Sequence, residues 1–190
     1  MKTKGFTLIE LLVVIGILAI LAVAAILVLN PAQLFAEARD SQRINDMNNL
    51  KSALALYLST VDSPAMSPQT AGNTCGTNYW GTITAAENFT VAGAQSASVG
   101  TAVDGTGWVP VNIGAISGGS PLSALPTDPI NPDTAAQTYQ YSCDNTAKTF
   151  ELNANMESAR YGGGSSDVEG TDGGNVATIF EVGNDPGLNL

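Results

Sequence analysis

The stretch GFTLIELLVVIGILAI, residues 5–20, opens an apolar segment that contains one carboxylate, Glu10. From Leu11 to Leu29 no charged or amide side chain interrupts this segment. Because about 20 residues of apolar helix cross the hydrocarbon core of a bilayer, the segment predicts a membrane-spanning helix. A cleaved secretory signal has a shorter apolar region, about 7–15 residues, followed by a small-residue cleavage site. We therefore expect the helix to be retained in the mature chain.

Beyond the apolar segment the pattern becomes amphipathic. Apolar residues recur at steps of three and four, which lay one stripe along a helix: Ile44, Met47, Leu50, Leu54, Tyr57, Leu58 and Val61. Asp40 and Asp46 each lie three residues from Arg43, a spacing typical of surface ion pairs. The second half of the helix is therefore expected to bury one face and expose the other.

Together the two halves predict one helix from Phe6 to about Thr60. Ser63-Pro64 and Ser67-Pro68 end the pattern. Pro31 falls inside the helix and has no backbone N–H, so we expect a kink or local break there.

The clearest β pattern lies near the C-terminus. Two runs alternate apolar with polar residues, and their apolar members are Tyr139, Tyr141, Cys143, Phe150, Leu152, Ala154 and Met156. The short polar turn at Asp144-Asn145 joins the runs, which predicts an antiparallel hairpin. Val176–Gly183 predicts a last strand. A long N-terminal helix, apolar then amphipathic, packed on a small antiparallel sheet is an α+β fold.

The region between helix and hairpin, Ala65–Gly119, is rich in Gly, Ala, Ser and Thr. Its candidate strands are Tyr79–Thr84, Asn88–Val91 and Trp108–Ile113, the last confined to a sheet edge by its proline. The aromatic residues Tyr79, Trp80 and Trp108 are expected in the core of a small sheet domain, with a stacking surface for ligands as the alternative.

The charge pattern disfavours several functional classes. The chain has seven basic and seventeen acidic residues, a net charge of −10, and no histidine. Only Lys148 and Arg160 among the basic residues follow Lys51, so the C-terminal two-thirds is strongly acidic. An acidic domain repels phosphate backbones, which disfavours a nucleic-acid groove. Without histidine the usual general base and the commonest transition-metal ligand are missing.

The two cysteines, Cys75 and Cys143, lie far apart and form no CxxC pair. In an acidic domain outside the cytoplasm we expect them to form one structural disulfide, with two free thiols as the alternative. The cysteines and the composition together predict that the C-terminal domain lies outside the cytoplasm.

The N-terminal residues resemble those of type IV pilins and of the pseudopilins of type II secretion and related systems. The resemblance lies in Lys2-Thr3-Lys4-Gly5, followed by Phe6-Thr7-Leu8-Ile9-Glu10 and the apolar segment. The later LPTDPINPD…TYQY…TFELNANMES is similar, more loosely, to the β-region of the pseudopilin G type.

The resemblance implies a processing step. A prepilin peptidase would cut between Gly5 and Phe6 and methylate the new amine of Phe6, and glycine at the cut lets the peptidase approach the backbone closely. In a filament, Glu10 would then pair with the Phe6 amine of a neighbouring subunit and set its register. The alternative is an interfacial glutamate that anchors an ordinary signal-anchor helix.

These expectations divide the chain into five parts: a leader that is removed (1–5), a membrane and filament-core helix (6–30), its amphipathic continuation (31–62), an irregular connecting region (63–126), and the β-sheet with a C-terminal loop (127–190).

The implied function is that of a structural subunit of a pilus-like filament, not an enzyme. The implied partners are copies of the chain in a helical filament, the peptidase, an inner-membrane assembly platform and motor, and the bilayer before assembly. The chain would cross the cytoplasmic membrane once and later form an extracellular or periplasmic filament. The alternatives are a pseudopilin of a type II secretion or DNA-uptake system, and a monomeric membrane-anchored binding domain.

Two acidic loops are candidate calcium sites, because hard oxygen ligands suit Ca²⁺. Their residues are Asp128, Asn131 and Asp133 in one loop, or Asp167, Glu169 and Asp172 in the other. The resemblance to pseudopilin G, which binds calcium in a C-terminal loop, favours such a site. Solvated acidic turns are the alternative, and no other cofactor is expected.

Overall fold

The computed structural model describes residues 5–68, 74–83, 94–96, 100–130 and 137–190. Contacts divide the chain into two compact units, the first ending at Ala36 and the second spanning Glu37–Leu190. The first unit contains helix α1 (Leu8–Leu29) and the start of helix α2 (Pro31–Thr60). The second contains the rest of α2 and a five-stranded sheet. The α+β class predicted from the sequence is confirmed.

The predicted long N-terminal helix is confirmed, and it is interrupted at Asn30, directly before Pro31, where α1 ends and α2 begins. Asn30 adopts a left-handed conformation (φ 38°) and donates its N–H to Ile26 O. Two effects of Pro31 account for the break: its ring disfavours the helical conformation at the preceding residue, and it cannot donate a hydrogen bond. Pro31 is instead the first residue of α2, a position where the missing N–H costs nothing.

Helix α2 buries one stripe, and that stripe begins earlier than predicted. Its buried members recur at steps of three and four from Ala36 onward: Ala36, Asp40, Arg43, Met47, Leu50, Leu54 and Tyr57. Asp40 and Arg43 therefore do not form the surface pair expected from their spacing. They form an ion pair (2.7 Å) whose side chains are both fully buried. They lie on the inward face because they continue the apolar stripe at its own period.

The sheet has the strand order β2-β1-β3-β4-β5. Its strands are β1 (Asn78–Gly81), β2 (Ala94–Gln95), β3 (Tyr139–Asp144), β4 (Thr149–Ala154) and β5 (Phe180–Gly183). The pairs β1–β3, β3–β4 and β4–β5 are antiparallel, whereas β2 pairs parallel with β1.

The predicted hairpin is confirmed, since β3 and β4 pair antiparallel from Tyr139↔Ala154 to Asp144↔Thr149. The predicted last strand forms over its second half, Phe180–Gly183. The candidate strand Tyr79–Thr84 corresponds to β1. The candidate Asn88–Val91 lies outside the described residues.

The predicted edge strand Trp108–Ile113 is wrong. Among the described residues this segment makes only one isolated bridge, Asp104↔Asn112, and Ile113–Ala115 is a 3-10 helix. Pro110 cannot donate to a strand ladder, and residues 108–111 are buried in succession instead of alternately, while Asn112 is exposed. Trp108, fully buried, donates its ring N–H to Pro126 O (2.9 Å) and fills the core.

The core lies between α2 and one face of the sheet. The sheet contributes the residues predicted from alternation, joined by two from β5: Tyr139, Tyr141, Cys143, Phe150, Leu152, Ala154, Phe180 and Val182. Tyr141 is central, with ring centroids 5.8 Å from Trp80 and 6.5 Å from Phe150. Such tilted and stacked ring pairs add to the free energy gained by burying the rings. Tyr79, Trp80 and Trp108 are all buried and offer no stacking surface.

Candidate assembly site

The predicted processing site, Gly5-Phe6, is open to solvent. Gly5 has no neighbouring atom within 4 Å of where a Cβ would lie, and Phe6 is 86% exposed. Nothing in the described part of the chain covers the bond between them. A peptidase could therefore reach this backbone without local unfolding.

Glu10 is held by a capping box at the start of α1. Its Oε2 accepts hydrogen bonds from the backbone N–H (2.8 Å) and the hydroxyl (2.7 Å) of Thr7. The Glu10 N–H in turn donates to Thr7 Oγ1 (3.3 Å). This reciprocal arrangement satisfies N–H groups that a helix start leaves without partners. Thr7 was missed by the sequence reasoning, although the spacing Thr-x-x-Glu before an apolar run is the signal that identifies such a box.

Glu10 also lies at the edge of a shallow apolar groove. The groove has a volume of about 350 Å³ and is lined by Phe6, Ile9, Glu10, Val13 and Val14. Glu10 is the single ionisable group in this lining. A carboxylate beside an otherwise apolar surface selects strongly for a partner that brings both apolar contact and a hydrogen-bonding cation.

The remainder of α1 presents an apolar surface that is exposed among the described residues. Its large apolar side chains are exposed, from Leu8 (81%) to Leu29 (62%). By length and composition, one helix in the described part of the chain can cross a membrane. The 22 residues of α1 span about 33 Å, close to the thickness of a bilayer core.

Residues 1–26 match the prokaryotic N-terminal methylation motif. This motif is characteristic of type IV pilins and pseudopilins. Searches of curated proteins and of solved structures returned no match.

The N-terminal methylation motif and the apolar helix fit a type IV pilin-like or pseudopilin subunit. Proteins with this motif are structural subunits and not an enzyme family. The motif also implies processing by a prepilin peptidase and assembly of the pilus type, and with the apolar helix it indicates anchoring in a membrane.

The predicted disulfide is present, between Cys75 and Cys143. Cys143 lies on β3 and Cys75 in the connecting region, 68 residues earlier. The bond therefore fastens the connecting region to the centre of the sheet.

The first candidate calcium set is only partly visible, because Asn131 and Asp133 lie outside the described residues. Asp128 is buried and accepts two hydrogen bonds from Arg43, 2.6 and 2.9 Å long. Its Oδ1 also accepts the N–H of Ile130 (2.9 Å). In the described structure this carboxylate neutralises an arginine.

The second candidate set lies in the loop between β4 and β5, where each carboxylate accepts backbone N–H groups. Asp167 accepts from Gly163 and Gly170, and Glu169 accepts from Met156. Within the described ranges, no group of three or more acidic, cysteine or histidine residues is arranged to hold a metal ion. Calcium binding stays a prediction for both loops.

A buried ion cluster on α2 is the second feature that sequence reasoning missed. Arg43 contacts three carboxylates, on Asp40, Asp128 and Glu157. Burial disfavours the charge of Arg43, but the carboxylates outweigh it and raise its pKa. Burial alone would raise the pKa of Glu157. The hydrogen bonds and charges of Arg39 and Arg43 outweigh this effect and lower its pKa overall. The only signal in the sequence was that Asp40 and Arg43 continue the apolar stripe.

Proposed function

We propose that this chain is a structural subunit of a type IV pilus-like filament, stored in the cytoplasmic membrane after processing and polymerised through α1. The observation that carries the proposal is the methylation motif on a helix whose apolar side chains are exposed along its whole length. Such a surface needs a cover. Lipid provides it before assembly, and the helices of neighbouring subunits provide it in the filament.

Processing fits the local geometry. A cut between Gly5 and Phe6 leaves the Phe6–Thr7 peptide bond intact, so the Thr7 N–H that Glu10 accepts survives the cut. The new amine of Phe6 then lies at the end of the same apolar groove that Glu10 borders. The processed chain thus carries a cation and an anion at one helix end.

Glu10 sets the register of assembly in this proposal. In the stored subunit its carboxylate is satisfied by Thr7. In the filament it pairs with the methylated amine of a neighbour's Phe6. A subunit out of register would bury the carboxylate without a cation, at a cost of about 3–5 kcal/mol. The penalty favours one axial offset between neighbouring helices.

The same proposal gives the location of the C-terminal domain before and after assembly. The C-terminal domain lies outside the cytoplasm, where the Cys75–Cys143 disulfide is stable. An assembly platform and motor in the inner membrane extract the subunit from lipid. The domain is then displayed on the outside of the filament.

Mass spectrometry of the native protein tests the processing step. The expected N-terminus is a methylated Phe6. An intact chain that still begins at Met1, with no methyl group, would contradict the proposal and favour a monomeric membrane-anchored domain.

Variants at Glu10 test assembly separately from membrane insertion. We expect Glu10→Ala to insert normally and to reduce filament yield strongly. Glu10→Gln, which keeps the hydrogen bonds to Thr7 but not the charge, should fail in the same way. Val13→Ala is the matched control for truncation of the groove. Unchanged yield in both Glu10 variants would remove the register role.

Electron microscopy of sheared surface fibres, with peptide identification, distinguishes a surface pilus from a pseudopilus. Long fibres that contain this chain are the expected result. Fibres that appear only when a secretion or DNA-uptake system is overproduced would instead favour the pseudopilin function.

A further inference from the structure

The uncharged part of the chain continues beyond the end of α1. Between Glu10 and Glu37 no side chain is charged, and the only polar side chains are those of Asn30 and Gln33. Asn30 forms the break between the two helices, and Gln33 lies in the first turn of α2. Apolar residues follow them. The break is therefore a short polar interruption within an apolar segment that is longer than α1.

The break takes helical donors away from backbone carbonyls near the end of α1. Proline has no N–H, so Pro31 cannot donate to the carbonyl of Leu27. A continuous helix would direct the Gln33 N–H to the Leu29 carbonyl, but it donates to Asn30 O instead (3.0 Å). Such a rearrangement of the backbone is costly in hydrocarbon, whereas water and lipid headgroups can donate to the carbonyls at a membrane surface. The backbone at Asn30 thus fits the interface of a bilayer better than its interior.

The spacing between the two polar ends of α1 matches the thickness of a bilayer. The step from Glu10 to Asn30 is about 30 Å along an α-helix, and the hydrocarbon core of a bilayer is also about 30 Å thick. A spanning helix with Glu10 at one surface therefore has Asn30 at the other. Because the proposed function puts the C-terminal domain outside, Asn30 lies at the outer surface.

Two large apolar side chains lie just beyond the break. Leu34 and Phe35, close to the start of α2, are 52% and 66% exposed. Successive residues of a helix point about 100° apart, so the two side chains together cover a broad side of it. The buried stripe of α2 begins only at Ala36. Exposed apolar side chains beside a polar, uncharged turn are typical of a segment that lies in the headgroup region of a membrane.

We propose that residues 30–35 form a second membrane anchor, at the outer surface of the bilayer. Asn30 lies at the level of the headgroups, and Leu34 and Phe35 enter the acyl region beside it. This inference rests on the proposed function, because it requires that α1 is stored in a membrane. The anchor fixes the depth of α1, since sliding would move an amide into hydrocarbon or an aromatic ring into water. A fixed outer end keeps Glu10 at the inner surface.

A neighbouring copy of the chain is the other possible cover for Leu34 and Phe35. A helix packed on this segment would have to supply donors for its carbonyls as well as apolar contact. The headgroup region of a bilayer offers acyl chains and water at the same depth, so it meets both needs. Lipid therefore fits the segment better than a second helix does.

Spin-label depth measurements on the full-length, disulfide-bonded chain test the anchor. The chain is placed at low density in vesicles of phosphatidylcholine and phosphatidylglycerol, with a nitroxide attached at Phe35→Cys. Collisions with oxygen and with a water-soluble nickel complex should place this label roughly 5–10 Å inside the headgroup boundary. The same label at Leu56→Cys, an exposed apolar position further along α2, is the aqueous control. Equal access of nickel to the two labels would overturn the proposal.

A double variant tests whether the two apolar side chains hold the segment in the membrane. The reporter is a nitroxide at Ala32→Cys, an exposed position that leaves both side chains in place. Leu34→Ser/Phe35→Ser should raise the access of nickel to this reporter towards that of the aqueous control. Leu56→Ser, the matched truncation outside the segment, should leave it unchanged. An Ala32 reporter that does not respond to the double variant would contradict the anchor.

A third label, at Ile20→Cys near the middle of α1, distinguishes failure of the anchor from failure of membrane storage. A deeply buried Ile20 label with a Phe35 label in water would overturn the anchor alone. An Ile20 label in water would overturn membrane storage and the anchor with it.

Assembled filaments distinguish lipid from a neighbouring subunit. If a second copy covers the segment, the Phe35 label is open to water in sparse vesicles and becomes protected only in filaments. That outcome would overturn the lipid anchor and leave the proposed function intact. A label held at the interface in a processed chain that never assembles would instead contradict the proposed function and leave the anchor standing.

Discussion

Arg43 on α2 and Asp128, 85 residues further along the chain, form a buried ion pair in which two nitrogens meet two oxygens. The distances are 2.6 Å from Nε to Oδ2 and 2.9 Å from Nη2 to Oδ1. Both side chains are at most 1% exposed. Through this pair Asp128, in the segment before β3, is attached to the N-terminal half of α2, and charged side chains close one end of the apolar core.

Loss of Arg43 should destabilise the domain severely. Arg43→Met leaves the carboxylates of Asp40, Asp128 and Glu157 buried together without their shared cation. We expect a loss of about 3–5 kcal/mol in the free energy of unfolding, measured by chemical denaturation of the full-length chain in detergent. The matched control is Arg160→Met, since the Arg160–Glu37 pair is half-exposed and worth about 0–1 kcal/mol. Equal effects of the two substitutions would argue against a special role for the buried cluster.

Reduction of the Cys75–Cys143 disulfide should lower the stability of the sheet domain by about 2–5 kcal/mol, because the bond restricts the unfolded chain. Thermal melts with and without reductant measure this, with the fluorescence of the buried Trp80 and Trp108 as the signal. The Cys75→Ser/Cys143→Ser variant should melt like the reduced protein and be insensitive to reductant. A wild-type melting temperature that does not respond to full reduction would contradict this.

Thr7→Ala should fray the first turn of α1. The substitution removes the hydroxyl that accepts the Glu10 N–H and donates to Glu10 Oε2, at a local cost of about 0.5–2 kcal/mol. Amide exchange at Glu10 in micelles should accelerate accordingly. Thr7→Ser keeps the hydroxyl and should exchange like the wild type. Equal amide exchange in the alanine and serine variants would show that the Thr7–Glu10 capping box does not stabilise the first turn of α1.

Glu169 should make stability depend on pH. Burial raises its pKa from 4.5 to about 7, although the Met156 N–H acts in the opposite direction. The folded state therefore favours the protonated carboxyl of Glu169. The stability that this proton contributes is lost as the pH rises from about 4.5 through about 7. Glu169→Gln should raise the melting temperature at pH 8 and leave it unchanged at pH 4. Asp62→Asn, at an exposed position, is the control.

Elements set by local pattern were predictable from the sequence. The unbroken run from Leu11 to Leu29 predicts α1, because an apolar run of this length is typical of a helix long enough to cross a bilayer core. The hairpin β3–β4 was predictable because the alternation of apolar and polar residues on both strands and the polar turn between them agree with its six residue pairs. Gly5, Phe6 and Glu10 were recognisable because a family motif surrounds them.

Features that depend on distant partners were not predictable. Whether Arg43 is exposed or buried depends on Asp128 and Glu157, and no local pattern indicates that these residues reach α2. Trp108–Ile113 has the alternation of a strand, yet it fills the core, since Pro110 cannot donate to a strand ladder and the Trp108 ring N–H bonds to the remote Pro126 O. The burial of Glu151, a polar residue of the hairpin, was not predictable for the same reason, since it accepts a hydrogen bond from the remote Leu190 N–H.

Helix α1 has a local hydrogen bond at each of its ends. Thr7 and Glu10 close the first turn, and the Asn30 N–H closes the last turn on Ile26 O. An unsatisfied backbone group costs several kcal/mol in hydrocarbon, roughly the stability reserve of a small protein. Because both partners of each of these bonds belong to the helix and its caps, a move of α1 from lipid into a protein environment leaves these bonds in place.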